Sequence, residues 1–512
     1  MRLRQALVFV PAAGAFALLL VRLAGDVHGK PLVEDEAVAG LIGARPVGEL
    51  LGTVLWDRGG APLHFLLVHA VLAVHSSPAA LRWLSVLFGL GAAITCFELG
   101  RRLAGPVAGS AAAIAGATSG LLTIYGTVAR MYALFAFVGG LAALLFVRAL
   151  EKRTAEAAFT AALAAWLLPA THPYGGIAVA CEAAVALVIW RGRPLKPALP
   201  AIAVGAAMLP FAFFDVRLAH RFDVGGQGHS LAGPGETWHQ LELVIRGSAG
   251  GSAALVIFLA LAVVGLVTLV RDRPAVAALT ALWILAPPLL FLTVRSHSSP
   301  DLSPRHLIYA LPLWAAATGV GAARLLTRVR PEAQAAALAV LLVVAAFGSS
   351  AVHDPRAIEF PTGMGAENEL RAPAARLRSE IRPGDVLFPF SALHLAALPA
   401  SGHARTMPRA QPEILARALR RVDLPAGSVV VTVPLAGTRL RADRLHGHGE
   451  RVGGWLILRR QGPMRDRAQI AAAIGALLRE ARAATVAPYD PALDGYYKLG
   501  IDVADGAVGR LR

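Results

Sequence analysis

Long apolar runs set the terms for this chain. Segments near 5–24, 80–100, 104–125, 131–150, 155–171, 176–191, 197–214, 252–270, 275–294, 305–326 and 333–352 each approach the ~20 residues that a helix needs to cross a bilayer. In hydrocarbon every backbone N–H and C=O must find a partner inside the protein, so runs of this length fold as helices. Eleven such runs exclude a disordered chain, a coiled coil and an ordinary soluble enzyme. Composition agrees: 56% of the 512 residues are hydrophobic and 16% charged, against about 25% charged in soluble domains. The first run is too long to read simply as a cleaved signal peptide. Cys96 and Cys181 both lie in apolar runs, which leaves no disulfide framework and no cysteine metal site.

Loop charge settles a twelfth candidate at 61–77, which is short and carries His64, His69 and His75. Arg2 and Arg4 place the N-terminus in the cytoplasm, because cationic short loops stay inside. If 61–77 does not span, Arg101-Arg102, Lys152-Arg153, Arg191 to Lys196, Arg271 to Arg273 and Arg324 to Arg330 all fall on the inner side. If it spans, every one of them moves outside. The segment 61–77 is therefore expected to lie along or dip into the outer face. Eleven spans then put the C-terminus outside. The formal charge of +16 acquires a meaning from this arrangement. Residues 353–512 hold 23 Lys+Arg and 16 Asp+Glu, a net of +7, so +9 belongs to residues 1–352. Much of that +9 sits in inner loops, where it orients the protein rather than binding nucleic acid.

Beyond 353 the hydropathy falls. Arg382 to Phe388 reads as a turn feeding a strand, Ser428 to Val433 and Trp455 to Leu458 as further strands, and Ala468 to Ala484 as a helix. The expected organisation is a transmembrane domain over 1–352 and a soluble, extracytoplasmic α/β domain over 353–512.

The same topology gathers polar residues on the outer side. The first outer loop holds Glu34-Asp35-Glu36, Asp57, Arg58 and His64. Span ends add Arg130 and Tyr132, then His172 and Tyr174, then Arg305 and His306. Arg217, His220 and Arg221 lie in an outer loop expected over 215–251. Ionisable groups at membrane depth are costly and usually line a working cavity. A carboxylate there can take a proton from an acceptor hydroxyl, and arginines can hold a phosphate as it becomes a leaving group. Simpler roles fit as well. The acidic triplet can start a solvated helix, Arg130 can snorkel to headgroups, and His172 beside Pro173 can satisfy broken backbone groups. Asp57-Arg58 can be a local ion pair, and Glu182 inside the sixth span suits a structural polar contact. His64 and His69 share a helix face poorly, which argues against a zinc pair.

Several short motifs occur in a familiar order. Val33-Glu34-Asp35-Glu36-Ala37 follows the first span, and Gly60-Ala61-Pro62-Leu63-His64-Phe65 comes next. Leu81-Arg82-Trp83, Ala129-Arg130-Met131-Tyr132, Thr171-His172-Pro173-Tyr174-Gly175 and Ser303-Pro304-Arg305-His306-Leu307 complete the series. This order resembles that of the polytopic GT-C glycosyltransferases, in the branch of protein O-mannosyltransferases and bacterial lipid-A-type sugar transferases. The resemblance covers about 1–350. It implies a mainly α, polytopic fold with outer juxtamembrane helices. It also implies inverting transfer of a hexose or pentose from a polyprenyl-phosphate donor to a glycan, lipid or protein acceptor at the extracytoplasmic face. By position, Asp35 would be the general base and Glu36 would orient it or meet the acceptor. Arg130 and Arg305 would hold the donor phosphate. Asp57, Arg58, His64, Tyr132, His172, Tyr174 and His306 would line the cavity. Two departures stand out: Thr127-Val128 occupies a stretch where many relatives carry an acid, and His306 stands where tyrosine is usual. No metal ligands are assigned, and a divalent metal is left open. A lipid or polymer transporter, or a non-catalytic relative acting in envelope assembly, are the alternatives.

Overall fold

The computed structural model describes residues 6–28, 34–57, 61–75, 77–191, 198–207, 209–210, 213–214, 234–248, 252–293, 304–350, 367–388, 405–406, 412–435, 439–445, 448–486 and 491–512. They group into two compact units. One takes Met1–His28, Leu50–Val71 and Ala79–Phe360; the other takes Gly29–Glu49, Leu72–Pro78 and Pro361–Arg512. The grouping is not linear in sequence, because the helix that carries the acidic triplet belongs with the C-terminal residues.

The chain opens with α1 (Val10–Gly25), α2 (Glu34–Gly43), α3 (Val47–Asp57) and α4 (Leu63–Val74). At 12 residues α4 measures about 18 Å, well short of the ~30 Å hydrocarbon core. Next comes α5 (Pro78–Ala117), interrupted at Ala104 and at Gly105, whose φ is +84°. A side chain is strained at that φ, so glycine permits the break, and Pro106 restarts the helix with its φ already set. The two arms fold back on each other, with Gly100 against Ala108 and Gly116 against Cys96. The two spans expected at 80–100 and 104–125 are thus the arms of one hairpin, continued by the short α6 (Gly120–Tyr125).

The helices α7 (Tyr132–Lys152) and α8 (Ala155–Thr171) follow. Arg153 turns the chain between them with φ 53°, and the Thr154 side chain accepts from Ala157 N at 3.2 Å to cap α8. Then come α9 (Gly175–Trp190), α10 (Leu199–Ala207), α11 (Pro234–Ser248), α12 (Ser252–Asp272), α13 (Pro274–Thr293), a 3-10 segment Pro304–Ala310, α14 (Leu311–Leu326) and α15 (Pro331–Ser350). The tightest pairing is α12 with α14, where a methyl on Gly265 would overlap Ala317 O and one on Gly321 would overlap Leu261 O. Without a hydrophobic force between helices in lipid, such small-residue contacts let backbones close. Glu151 bridges Arg102 at 2.5 Å and Arg273 at 3.0 Å, which draws the ends of the first α5 arm, α7 and α12 together.

Among the described residues, six apolar helices have the length to cross a membrane: Leu7–Gly25, Pro78–Ala117, Tyr132–Lys152, Ala254–Asp272, Pro304–Leu326 and Pro331–Gly348. Leu63–Val74, Ala155–Thr171, Gly175–Trp190 and Pro274–Leu290 are apolar but shorter. Two features differ from the sequence reading. The region expected as an outer loop contains α11, which packs on α6 and the 304–310 segment and whose Gly247 O accepts from Ser119 Oγ at 3.1 Å. Glu182, expected to make a polar contact, is buried in α9 with its Oε1 lacking a hydrogen-bond partner among the described residues.

In the second unit, α16 (Glu367–Glu380) precedes β1 (Val386–Phe388) and β2 (Arg405–Thr406). The chain continues through α17 (Pro412–Leu419), β3 (Val429–Pro434), β4 (Arg439–Leu440), β5 (Gly449–Val452), β6 (Trp455–Arg460), α18 (Arg467–Ala484), β7 (Thr485–Val486) and α19 (Pro491–Leu511). The main sheet runs β2-β1-β3-β6-β5, parallel through β2, β1 and β3, and antiparallel beyond. Val429 to Val433 are buried without alternation, as in a strand covered on both faces. Ile470, Ile474 and Leu477 of α18 share a core with Val429, Val431, Leu456 and Leu458. Asp385 staples the turn into β1: its carboxylate accepts from the backbone N of Ser428 (2.7 Å) and of Arg382 (3.0 Å), and from Arg459 (3.4 Å).

Candidate functional site

Four segments of the helical unit build one polar and aromatic cluster. The first is the irregular turn 126–131 between α6 and α7. Ser85 Oγ donates to Val128 O at 2.6 Å, and Arg130 N donates to the same carbonyl at 2.7 Å, so the turn is held just before Arg130. Tyr132 then opens α7, with its ring 5.1 Å from that of Tyr125.

The second segment is the break between α8 and α9. Pro173 has no N–H to continue the helix, and His172 ends α8 in extended geometry, φ −154°. The buried His172 ring accepts from Tyr174 N at its Nδ1, 3.2 Å away. That bond assigns the proton of the neutral ring to Nε2.

Third is the 304–310 segment. It sets the Arg305 guanidinium carbon 5.8 Å from the Tyr132 ring centroid, and places His306 5.2 Å from His172 and 4.7 Å from Tyr174. The fourth contribution is His64 of α4, buried and hydrogen-bonded to the backbone of Ala129. Behind these groups Phe135 stacks on His172 at 5.1 Å and 21°. Tyr309 packs on Phe135 at 4.9 Å and donates from its hydroxyl to Trp283 O at 3.0 Å; Trp283 in turn donates to Ala178 O at 3.0 Å. This aromatic wall fixes the rings in place.

Charge defines the cluster's chemistry. His172 is pushed down to about 3, first by burial and then by Arg130 and Arg305. His64 is pushed down to about 3 by burial and by Arg130, against the opposing pull of its bond to Ala129. Both imidazoles are therefore neutral at ordinary pH, and Arg130 and Arg305 both act on His172. Helix starts at Tyr132 and Gly175 add their positive dipole ends. Two guanidinium groups, helix starts and neutral rings suit an anion carried on a partly apolar molecule.

The structure thus brings together Arg130, Tyr132, His172, Tyr174, Arg305 and His306, with His64 beside them through Arg130. The described residues do not place the other sequence candidates in this cluster. Asp35 and Glu36 lie in the first turn of α2, in the other unit; Glu36 is buried, and the Asp35 side chain is outside the described residues. Asp57 ends α3 with its side chain also outside them, and Arg58, Arg217, His220 and Arg221 lie outside them altogether. Among the described residues no three His, Cys, Asp or Glu side chains converge to hold a metal ion. Sequence reasoning missed Tyr125, Phe135, Trp283 and Tyr309, whose only signal was aromatic character inside apolar runs.

The sequence matches no protein-family model and no curated protein. Its fold has clear counterparts. It is similar to ArnT from Cupriavidus metallidurans in the apo state, with a TM-score of 0.55, 13% identity, and coverage of 88% of this chain and 97% of that one. The same protein bound to undecaprenyl phosphate matches with a TM-score of 0.52 and 14% identity over the same shares. The archaeal oligosaccharyltransferase AglB from Archaeoglobus fulgidus, in complex with an inhibitory peptide and a dolichol-phosphate, matches with a TM-score of 0.50 and 11% identity, over 84% of this chain and 69% of that one. The chain shares the fold of these proteins. Within this fold, the helical unit holds the arginine–histidine–tyrosine cluster, and the C-terminal residues contribute to the α/β unit.

Proposed function

We propose that this protein is an integral-membrane glycosyltransferase that moves a hexose or pentose from a polyprenyl-phosphate donor to a glycan, lipid or protein acceptor at the extracytoplasmic face. The observation that carries this reading is the pair Arg130 and Arg305 acting on one histidine in a GT-C fold. Support comes from the fold neighbours, one bound to undecaprenyl phosphate and one to a dolichol-phosphate. In the proposed reaction the acceptor oxygen attacks the anomeric carbon in a single inverting displacement. The acceptor proton passes to the Asp35 carboxylate. The bond from the anomeric carbon to the phosphate oxygen breaks, its electron pair stays on that oxygen, and the lipid phosphate goes from one negative charge to two. Arg130 and Arg305 stabilise the growing charge through paired, charge-assisted hydrogen bonds. The role of Asp35 rests on its place in the ordered motifs, with Glu36 beside it to orient the base or meet the acceptor. Asp57 and Arg58 belong to the proposed cavity on the same ground. The proposal includes eleven spans, an inner N-terminus and an outer α/β domain, for which the charge of the loops speaks.

The test is reconstitution with labelled polyprenyl-phosphate sugars and candidate acceptors, comparing wild type with Asp35→Asn. Transfer is expected in wild type and falls at least ~100-fold in the variant, the lower end of a general-base contribution. Transfer that survives the substitution removes Asp35 as base, and lipid translocation without transfer favours a transporter. Cysteine labelling at positions 103 and 230 checks sidedness: reagent reaching 103 from outside overturns the eleven-span arrangement.

A further inference from the structure

The charge of Arg130 acts on both His64 and His172, and the fold gives them opposite hydrogen-bonding characters. Tyr174 N–H occupies Nδ1 of His172, so the neutral ring offers its Nε2–H as a donor. His64 is the reverse. Its ring proton is engaged by the backbone of Ala129, and its Nε2 is buried with no hydrogen-bond partner among the described residues. A neutral ring bonded in that way carries a lone pair on Nε2. A histidine that served only the core would have both nitrogens satisfied, because an orphaned buried polar atom is costly. The two Nε2 positions ask for different ligand atoms. The Nε2–H of His172 needs an acceptor, which phosphate oxygens supply. His64 Nε2 needs a polar hydrogen, and an ionised phosphodiester has none. The nearest polar hydrogens on a lipid-phosphate sugar are the hydroxyl or amino groups of the sugar itself.

We propose that the two histidines read the two sides of the phosphate–sugar linkage. His172 donates from Nε2 to the phosphate held by Arg130 and Arg305, and His64 accepts at Nε2 from a hydroxyl or amino hydrogen of the attached sugar. This inference rests on the lipid-phosphate reading above and makes His64 a residue that distinguishes loaded donor from spent lipid. Neither ring changes charge, so each acts as a fixed, neutral hydrogen-bonding group.

The experiment measures binding of undecaprenyl phosphate, undecaprenyl phosphate mannose and undecaprenyl phosphate arabinofuranose to the full-length protein in nanodiscs at pH 8. Wild type is expected to bind one of the sugar-bearing lipids more tightly than the bare lipid. His64→Phe should weaken the preferred sugar lipid about tenfold, the loss of one buried hydrogen bond with its partner left unpaired, and change bare undecaprenyl phosphate less than about twofold. His172→Phe should weaken all three lipids about tenfold. His64→Gln, which keeps an acceptor oxygen, is expected to recover most of the sugar preference, and His64→Leu, which also removes the acceptor, takes the place of His64→Phe if that variant does not fold. Equal affinity of wild type for bare and sugar-bearing lipids overturns the proposal. So does an equal loss on all three lipids in His64→Phe, or unchanged phosphate binding in His172→Phe. In each of these cases binding of the lipid phosphate itself still stands, whereas failure of wild type to bind any of the three lipids sinks the underlying reading as well.

Discussion

Removing Arg130 and Arg305 singly and together tests whether they hold one ligand. Both act on the buried His172 ring, and the Arg305 guanidinium is oriented by Tyr132 at 5.8 Å. A charge-assisted hydrogen bond to phosphate contributes about 1.5–3 kcal/mol, so Arg130→Ala or Arg305→Ala should weaken undecaprenyl phosphate about 10- to 150-fold. Two cations on one phosphate are coupled by about 0.5–3 kcal/mol. The double variant should therefore lose less than the product of the single losses, because the phosphate re-seats once its first partner is gone. Arg305→Lys keeps the charge but not the planar fork, and should fall between wild type and Arg305→Ala. The assay is equilibrium binding of radiolabelled undecaprenyl phosphate in nanodiscs at two ionic strengths, with unfolding midpoints to confirm intact protein. Losses that multiply fully would mean that the arginines serve separate ligands. Losses below about threefold would mean that neither holds the phosphate.

Three further outcomes follow from the same structure. His64 and His172 stay neutral in the fold down to about pH 3, while the unfolded chain takes up their protons below about 6.5. Their stability contribution is thus complete above pH 6.5 and is lost as pH falls, by about 1.4 kcal/mol per pH unit for each ring; the unfolding midpoint should drop between pH 7 and 5, less steeply in His64→Phe, and a flat wild-type profile would contradict neutral burial. Gly139→Ala drives a methyl into the backbone of Tyr309, whereas Gly176 has nothing within 4 Å of the same position; the first should cost about 1–3 kcal/mol and weaken lipid-phosphate binding by shifting the segment that carries Arg305 and His306, and Gly176→Ala should change neither. Asp385→Ala strands two backbone N–H groups at the entrance to β1 and should destabilise the α/β unit by about 2–4 kcal/mol in a denaturant titration, with Asp385→Asn milder.

Much of this architecture is legible in the sequence because the bilayer makes length and apolarity decisive. The runs at 131–150 and 333–352 return as Tyr132–Lys152 and Pro331–Ser350. The break between the hairpin arms was readable as well, since Arg101-Arg102 separates the apolar runs 80–100 and 104–125. The helix α11 was not, because Pro234 to Ser248 mixes polar and apolar residues and takes its partners from α6 and the 304–310 segment, far away in sequence. In the α/β unit the valine run of β3 announced itself, while the two-residue β2 exists only through its pairing with β1. Within the cluster, sorting residues by the end of the span they close already grouped Tyr132, His172 and Arg305. The tautomers of His64 and His172 were beyond reach, because each depends on one hydrogen bond to a backbone group that spacing does not encode.

The central claim is that the sugar leaves its lipid phosphate at this protein, and a double-label experiment tests it most directly. Proteoliposomes receive a polyprenyl-phosphate sugar labelled with ³²P in the phosphate and ¹⁴C in the sugar, together with candidate acceptors. Glycosyl transfer predicts that ¹⁴C moves to the acceptor while ³²P remains on the lipid, and that Arg130→Ala and Arg305→Ala suppress the separation. Labels that cross the bilayer together, or stay together on the lipid with every acceptor offered, would contradict the account.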